Sequence, residues 1–358
     1  MKKSLLSAVT ATVAVVGASI AHAQPADAGL VDALERPAMQ SPVAAKRLLV
    51  SVTRVDERLV AVGPRGHIVV STDAGASWQQ AQVPVSSDLT AVYFVSDKIG
   101  WAVGHDGVVL ASDDGGMTWT RQLDGRTANE LILSGVRARL DADPQSAELQ
   151  ALVAEAERYK EQGADKPFLD VWFENETHGF VVGAYNLLFE TSDGGRTWQS
   201  WFDRAENPRF MNLYAIRPAA GGLFIAGESG TVLKLDPVAR RFISVSVDYR
   251  GSLFGVVGAG DAVLVFGLRR SADSGATWTR VDARLPATIV GAARQDHGEV
   301  VLADQGGRIA ISHDGALTFD LVPRQRTVPL TSIAYAGADR LAATGPFGVM
   351  VVAPDAPR

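Results

Sequence analysis

The sequence predicts an all-β fold, a seven-bladed β-propeller with a helical hairpin inserted between blades 2 and 3. Three observations predict it: a turn motif that recurs along the chain, a glycine-bounded turn that precedes the motif, and a period of about 40 residues between successive copies. An antiparallel unit of four strands has about this length in propellers. Seven such units therefore predict seven blades.

The recurring turn motif follows the pattern Ser/Thr-x-Asp-x-Gly-x-Ser/Thr-Trp, which we call the Asp-box. Complete copies occupy 71–78, 112–119, 191–198 and 271–278, and a weakened copy occupies 312–319. Asp accepts hydrogen bonds from turn amides, Gly permits a positive φ, and Trp buries a large apolar area, so each role is structural. The predicted folding residues are Asp73, Gly75, Trp78, Asp114, Gly116, Trp119, Asp193, Gly195, Trp198, Asp273, Gly275, Trp278 and Asp314.

A second turn, Gly-x-x-Gly or a variant of it, follows a short apolar strand in each repeat. Its copies begin at Gly63, Gly104, Gly183, Gly227, Gly267, Asp304 and Gly345. Asn186 replaces the second glycine of one copy, where a left-handed residue is expected. The turns precede strands rather than helices, so a phosphate-binding loop is not predicted. Only four residues separate Gly267 from Ser271, where other copies have eight, so blade 5 is predicted to have a truncated third strand or a rebuilt hairpin.

The last repeat has three strands, at 330–336, 340–344 and 349–352. The stretch 36–43 is predicted to supply the missing fourth strand, which would close the ring and hide an edge.

The distance from Gly104 to Gly183 is double the usual spacing, and the excess at 125–166 predicts a helical hairpin. Its first arm is predicted at 127–140. Asp143 and Pro144 are expected to be the N-cap and first residue of the second arm, where apolar residues between Leu149 and Tyr159 follow helical spacing. The hairpin is either a packed decoration or a recognition arm, and the sequence does not decide between them.

The N-terminus has the features of a secretory signal over residues 1–23. Lys2 and Lys3 precede an uncharged apolar stretch, and Ala-His-Ala ends at Ala23, the predicted cleavage site. We therefore expect a periplasmic protein; an uncleaved anchor is the alternative. Residues 24–35 are expected to be a flexible segment, 36–353 the propeller and 354–358 a tail.

Composition excludes several classes of site. The 358 residues contain no cysteine, which excludes disulfides, thiolate zinc sites and a cysteine nucleophile, and the net charge of −6 disfavours nucleic acid as a partner. The six histidines have no metal-ligand spacing. We therefore predict no catalytic residue, no metal and no cofactor.

Strand connectivity predicts which loops share a face. With strands A to D named in chain order within each blade, the B–C turns and the D–A connections between blades lie at one end. Arginine and aromatic residues, which are enriched in protein interfaces, are frequent there. The predicted partner-binding residues are Arg47, Arg65, His105, Tyr185, Arg209, Arg250, Arg269, Arg284, Arg324 and Arg326. The alternative is a set of solvated loop arginines, partly neutralised by Asp88, Asp106, Glu206, Asp248 and Asp282.

The signal sequence, the Asp-box repeats and the segment 171–183 (VWFENE…GFVVG) resemble the photosystem II stability/assembly factor family of Asp-box (BNR-like) propellers, in its bacterial non-photosynthetic branch. The resemblance implies a non-enzymatic role in assembling or supporting a membrane protein complex. In photosynthetic members an arginine patch contacts a reaction-centre subunit. For this branch the resemblance suggests an envelope partner, an exporter of the resistance-nodulation-division type.

Two other functions are compatible with the repeats. Sialidase-like glycoside hydrolases also have Asp-boxes, and they need an arginine cluster, a Tyr–Glu pair and an acid; the Phe/Tyr-Arg-Ile-Pro segment of that family is absent here. The other alternative is a small-molecule or lipid-binding accessory of an envelope exporter, for which Phe347 and Tyr185 are the large apolar candidates at the mouth.

Overall fold

Seven antiparallel sheets form a closed ring in the computed structural model, which describes residues 31–295, 298–324, 326–337 and 339–353. The predicted signal and C-terminal tail lie outside the described residues. The first strand of each sheet packs against the first strand of the next, and the last of these packs against the first. The prediction of a seven-bladed propeller is confirmed.

Blades 1 to 4 have four strands each. Blade 1 contains β1 (Ser51–Val55), β2 (Arg58–Val62), β3 (Ile68–Ser71) and β4 (Gln79–Gln80). Blade 2 contains β5 (Leu89–Phe94), β6 (Gly100–Gly104), β7 (Val109–Ser112) and β8 (Thr120–Leu123). Blade 3 contains β9 (Phe168–Phe173), β10 (Gly179–Gly183), β11 (Leu188–Thr191) and β12 (Gln199–Ser200). Blade 4 contains β13 (Leu213–Ala219), β14 (Gly222–Gly227), β15 (Val232–Asp236) and β16 (Arg241–Ser244).

Blades 5 and 6 also have four strands, and blade 7 has three. Blade 5 contains β17 (Val256–Ala259), β18 (Ala262–Val265), β19 (Arg269–Ser271) and β20 (Thr279–Arg280). Blade 6 contains β21 (Ile289–Arg294), β22 (Val300–Asp304), β23 (Ile309–Ser312) and β24 (Asp320–Leu321). Blade 7 contains β25 (Ser332–Tyr335), β26 (Leu341–Gly345) and β27 (Gly348–Val352).

The hydrophobic core is divided among the junctions between blades. Seven buried clusters are present, and each takes side chains from two neighbouring sheets. Each sheet is therefore buried on both faces. This explains why a strand such as β2 carries a nearly continuous apolar run rather than an alternating one.

The Asp-box turns are held by the same hydrogen bonds in each repeat. In blade 3, Asp193 Oδ1 accepts from the Thr197 amide at 2.9 Å, and Oδ2 accepts from the Thr197 hydroxyl at 2.7 Å. Asp73, Asp114, Asp273 and Asp314 make the matching pair of bonds. The indole N–H of Trp119 donates to the Gly116 carbonyl of its own turn at 2.8 Å.

The predicted fourth strand of blade 7 is not formed by residues 36–43. The Ala38 amide donates to the Val83 carbonyl at 3.0 Å, and the Ser41 amide donates to Gln80 Oε1 at 2.7 Å, so the stretch runs beside blade 1. The reason is burial, because Leu34 and Ala38 belong to the core cluster between blades 1 and 2. Closure of the ring instead uses blade 7 and the residue before blade 1.

Two hydrogen bonds join blade 7 to the start of blade 1. The Leu49 amide donates to the Gly345 carbonyl at 3.2 Å, and the Thr331 hydroxyl donates to the Leu49 carbonyl at 2.7 Å. These bonds connect residues from opposite ends of the described chain.

The predicted helical hairpin consists of α1 (Gly125–Ala142) and α2 (Ala147–Gln162). The assignment of Asp143 and Pro144 to the start of α2 was wrong. The Asp143 amide donates to the carbonyls of Arg139 and Leu140, so Asp143 ends α1, and Ser146 caps α2 by accepting from the Leu149 amide. Residues 144–146 form the connection.

In blade 5 the B–C hairpin is rebuilt and shortened. Val265 pairs with Arg269 across a three-residue turn, whereas Val62 pairs with Ile68 across five residues in blade 1. Both strands persist, and Leu268 takes up the left-handed geometry with a φ of 52°.

We expect Thr277→Val to raise the pKa of Asp273. Hydrogen bonds from the Thr277 hydroxyl, the Ser271 hydroxyl and the Thr277 amide lower this pKa from 3.8 to about 2. Because the pKa of Asp273 is lower in the folded protein than in the unfolded chain, the ionised side chain stabilises the fold at pH values above its unfolded-state pKa. This stabilisation is lost as the pH falls through about 2. The variant should therefore have a lower Tm at neutral pH and approach the wild type near pH 2, as measured by thermal unfolding across pH.

The matched control is Thr72→Val, since Thr72 is exposed and its hydroxyl has no hydrogen bond to a described residue. Equal loss of Tm in the two variants, or an unchanged Asp273 titration by carboxyl NMR, would contradict the assignment.

Candidate partner-binding face and central channel

The B–C turns and the D–A connections lie at one end of the ring, which we call the turn face. Backbone hydrogen bonds link the two sets: the Gly66 amide donates to the Ser87 carbonyl, the His105 amide to Asp88, and the Gln305 amide to Thr288, each at 2.8 Å. Sequence connectivity predicted this shared end.

Several B–C turns hold their middle residue in the left-handed region. Arg65, Asp106, Tyr185 and Ser229 have φ values between 51° and 61°, and Asn186 has a φ of 67°, as its position predicted. Left-handed geometry is uncommon for residues other than glycine and persists where surrounding bonds fix it. The bonds to the D–A connections do so here, and the middle side chains are directed outwards.

Most of the predicted partner-binding arginines on the turn face are exposed to solvent. Six of these exposed arginines form no ion pair with a carboxylate of the residues that the structure describes. They are Arg47, Arg65, Arg209, Arg250, Arg284 and Arg326. We call these six residues the exposed arginine set. His105, Tyr185 (53% exposed) and Phe347 (71% exposed) lie on the same face.

Carboxylates of the turn face are engaged by backbone amides. Asp88 Oδ1 accepts from the Arg65 amide at 2.8 Å, and Asp282 Oδ1 accepts from the Arg284 amide at 2.9 Å. Glu206 accepts from the Ser244 amide at 2.9 Å and pairs with Arg241 at 3.5 Å. These side chains support the loops, and none of them forms an ion pair with a member of the exposed arginine set among the described residues.

Arg269 and Arg324 differ from the exposed arginine set because their guanidinium groups bind the protein's own backbone. Arg269 donates to the carbonyls of Asp248 (3.1 Å) and Gly267 (3.2 Å) and lies over the Tyr249 ring. Arg324 donates to the Gly307 carbonyl at 2.6 Å, and burial lowers the pKa of its guanidinium. Both side chains stabilise turns of this face.

The helical hairpin packs onto the turn face above blade 3. Ile132, Leu133 and Val136 of α1 are buried in the core cluster shared by blades 2 and 3. Tyr159 of α2 is fully buried, and its hydroxyl donates to the Tyr185 carbonyl at 2.9 Å. The inner side is therefore a packed decoration.

The outer side of the hairpin carries ion pairs between its own charges. Arg137 pairs with Glu157 at 2.6 Å, and Lys160 lies 3.9 Å from Glu130. These pairs neutralise much of the exposed charge of the two helices.

A channel along the ring axis is a second candidate site, and sequence reasoning missed its lining. Two cavities of about 400 and 730 Å³ lie between the innermost strands. The residues that line both cavities are Ser51, Tyr93, Arg217, Ala292, Arg294 and Ser332. The cavities are therefore continuous, the smaller near the turn face and the larger near the A–B turns.

A buried ion pair joins two inner strands beside this channel. Asp170 of β9 accepts from the Ile216 amide at 2.8 Å and from Arg217 Nη1 at 2.5 Å. Burial raises the pKa of Asp170, while the adjacent Arg217 guanidinium opposes that rise. The same Nη1 donates to the carbonyls of Val171 and Ile216. The pair therefore ties blade 3 to blade 4.

Two negative findings apply to the described part of the chain. No three histidine, aspartate or glutamate side chains converge as metal ligands there. No helix among those residues has the length and apolar character needed to cross a bilayer.

A family profile described as "Photosynthesis system II assembly factor YCF48" matches residues 70–139 and 152–250. The interval between the two matched segments falls in the helical hairpin. The chain belongs to the photosystem II assembly factor-like family of β-propellers.

Two curated relatives of the family are both named "Photosystem II assembly lipoprotein Ycf48". The protein of Synechococcus sp. (strain RCC307) is 57% identical over 37 residues, which is 10% of this chain and 11% of the relative. The protein of Synechococcus sp. (strain CC9902) is 25% identical over 154 residues, which is 42% of this chain and 35% of the relative. The chain thus matches well under half of either relative's length.

Solved structures of the family show the same fold. "YCF48 bound to D1 peptide" has 15% identity and a TM-score of 0.61, covering 87% of this chain and 94% of the other. "YCF48 from Cyanidioschyzon merolae" has 18% identity and a TM-score of 0.61, covering 87% and 97%. At such identities the likeness concerns architecture alone.

We expect Arg217→Met to destabilise the propeller by about 3 kcal/mol at neutral pH, because it leaves Asp170 buried without its cation. Burial then raises the folded-state pKa of Asp170 further, so the loss should shrink as the pH falls and Asp170 becomes protonated in the folded protein. Denaturant unfolding at several pH values measures this.

The control for Arg217→Met is Arg308→Met, at an exposed arginine of blade 6 without an ion pair to a described carboxylate. The double variant Asp170→Asn/Arg217→Met should recover part of the loss. A pH-independent loss in Arg217→Met would show that the ion pair is not its cause.

Proposed function

We propose that the protein is a non-catalytic, periplasmic scaffold that binds an acidic segment of a membrane protein complex through its turn face, and that it helps to assemble or support that complex. The observation that carries this proposal is the exposed arginine set, which stays without carboxylate partners among the described residues of a chain with a net charge of −6.

The chemistry of these side chains favours an acidic protein partner. A guanidinium group binds a carboxylate through two parallel hydrogen bonds, and such pairs are stronger than neutral hydrogen bonds. The carboxylates of Asp88 and Asp282 already accept from backbone amides, so a partner's carboxylates would not have to displace them. Tyr185 and Phe347 add apolar area of the kind that anchors protein interfaces.

The family supports a binding role. One solved relative is described as bound to a D1 peptide, and the curated relatives are named as photosystem II assembly proteins. Their names give no support to the more specific prediction of an exporter of the resistance-nodulation-division type. The partner class proposed here is therefore a membrane protein complex of the cell envelope.

We propose that the mode of membrane attachment differs from that of the named relatives. They are lipoproteins, whereas the 358 residues of this chain contain no cysteine, the residue that would carry a thioether-linked lipid. We propose that the exported form is released by cleavage after Ala23 and approaches its partner from the periplasm.

Glycoside hydrolysis is a weaker alternative. Tyr335 donates to Glu299 at 2.5 Å, a pairing of the kind that a tyrosine nucleophile would use. However, Tyr335 is buried in the core cluster between blades 6 and 7, and burial together with Glu299 raises the pKa of its hydroxyl. We therefore expect no turnover on a panel of fluorogenic sialosides and glycosides.

The decisive experiment is affinity capture of the tagged mature protein from detergent-solubilised envelope, with quantitative mass spectrometry. We expect Arg65→Glu/Arg250→Glu to reduce recovery of the partner about tenfold or more, since two attractive contacts become repulsive. Raising the salt concentration should weaken wild-type capture as well.

The matched control is Arg196→Glu/Arg280→Glu, the same charge change at exposed arginines of an Asp-box turn and an outermost strand. The control should capture the partner as the wild type does. Recovery of the partner at the wild-type level by both double variants would exclude the turn face as the binding site. Loss of the partner in both variants would indicate a nonspecific effect of the charge change.

A further inference from the structure

The two ends of the central channel have different chemical character. The smaller cavity, near the turn face, is lined by Tyr214, Phe254 and Phe266. The larger cavity, near the A–B turns, is lined by Arg54 and Asp56, while Arg217 and Arg294 line both cavities. Tyr93 contributes to both cavities. An apolar opening therefore leads to a cationic interior.

The aromatic opening depends on the shortened hairpin of blade 5. Phe266 belongs to the three-residue B–C turn and packs so closely on Gly255 that a Cβ there would lie 2.2 Å from its ring. The adjacent Phe254 is 46% exposed, and its ring centroid is 4.9 Å from that of Tyr214. These two rings present an apolar surface at the mouth of the channel.

The cationic interior retains hydrogen-bond donors that the described residues do not use. Every side-chain hydrogen bond that Arg217 makes to a described residue uses Nη1, which leaves Nε and Nη2. The side chain of Arg294 makes no hydrogen bond or ion pair with the described part of the chain, and its main chain pairs with Val300 in the sheet. Arg54, in contrast, is held by the Asp56 carbonyl and by Glu57.

Tyr93 adds a neutral donor beside these guanidinium groups. Its ring lies under Arg217, with 5.6 Å from the guanidinium carbon to the ring centroid. Burial raises the pKa of the Tyr93 hydroxyl, so it stays protonated. The interior thus offers positive charge and hydroxyl hydrogen bonding in one partly enclosed space.

We propose that the central channel is a ligand site for a small organic acid that has an apolar, ring-sized body. The carboxylate binds Arg217 and Arg294, and the body packs on Phe254 and Tyr214. A guanidinium matches a carboxylate in shape and charge. Cavities of about 400 and 730 Å³ fall within the usual range for small-molecule sites. The site is separate from the exposed arginine set and does not depend on it.

The proposal is tested by isothermal titration calorimetry of the mature wild-type protein with 3-phenylpropionate. The neutral isostere 3-phenylpropionamide and the ring-free acid propionate are the comparison ligands. We expect the aromatic acid to bind. Each comparison ligand should have a Kd at least about tenfold higher than that of the aromatic acid. Equal affinity for the acid and the amide would overturn the proposal.

Variants locate the site. Arg294→Gln should weaken binding of the aromatic acid about tenfold, and Phe254→Ala should weaken it several-fold. The matched control Arg280→Gln, on an outermost strand, should bind as the wild type does. Unchanged affinity in Arg294→Gln, or no heat with the wild type up to about 10 mM acid, would refute the channel site.

Two further experiments are made. The first distinguishes a free organic acid from the C-terminus of a peptide as the source of the carboxylate, and the second distinguishes the channel from the turn face as the binding surface. An acetylated tripeptide ending in phenylalanine is titrated as the free acid and as the amide. Tighter binding of the peptide acid than of 3-phenylpropionate assigns the site to a chain end, and weaker binding assigns it to a free acid. The variant Arg65→Glu/Arg250→Glu should bind 3-phenylpropionate with wild-type affinity. Binding in the channel is therefore tested independently of the proposal that the turn face binds a protein partner.

Discussion

Backbone hydrogen bonds between each B–C turn and the neighbouring D–A connection set the geometry on which both candidate sites depend. Bonds such as Gly66 to Ser87 and His105 to Asp88 fix the position of one blade against the next at the turn face. Because they are made by the main chain, they leave the side chains of these loops free. The first strands of neighbouring blades pack against each other around the ring, and their residues line the channel.

The arginines of the turn face divide according to what their guanidinium groups bind. Arg269 and Arg324 donate to backbone carbonyls of B–C turns and act as supports. Arg65 and Arg250 have exposed guanidinium groups without a carboxylate partner among the described residues. An acidic protein that leaves several guanidinium groups unpaired on one face keeps a local positive potential there. Such a potential favours the approach of an acidic partner, which net charge alone would oppose.

The sequence predicted the fold well because the repeat constrains it at several levels. Four complete Asp-boxes, the Gly-x-x-Gly turns and their spacing agree on blade number, and connectivity then places Arg65 and His105 at the same end. The wrong predictions concern segments that lie outside the repeated motifs. The stretch 36–43 follows the buried side chains of Leu34 and Ala38, a tertiary preference that local pattern does not reveal.

The channel escaped prediction because its residues are dispersed over the chain. Arg54, Arg217 and Arg294 come from blades 1, 4 and 6, and only closure of the ring brings them to one axis. The sequence contains a weak signal, since each of these arginines lies four or five residues after a buried apolar residue at or just before the start of its inner strand, namely Leu49, Leu213 or Ile289. A charged residue at that position departs from the apolar run expected of a strand buried on both faces. Aligning the repeats on that position would have exposed the arginines.

The shortened hairpin of blade 5 shows how a departure from the repeat can serve a site. The B–C turn there is two residues shorter than in blade 1, and it places Leu268 in the left-handed region. It also requires glycine at position 255, where Phe266 packs. Blades 1, 2, 3, 4 and 6 keep the five-residue turn, so the repeat itself does not require a shorter turn in blade 5. What the shorter turn does provide is an aromatic opening to the channel, with Phe254 left half-exposed beside Tyr214. Departures from local sequence rules are expected at functional sites, and the shortened hairpin of blade 5 lies at the aromatic opening of the proposed ligand site.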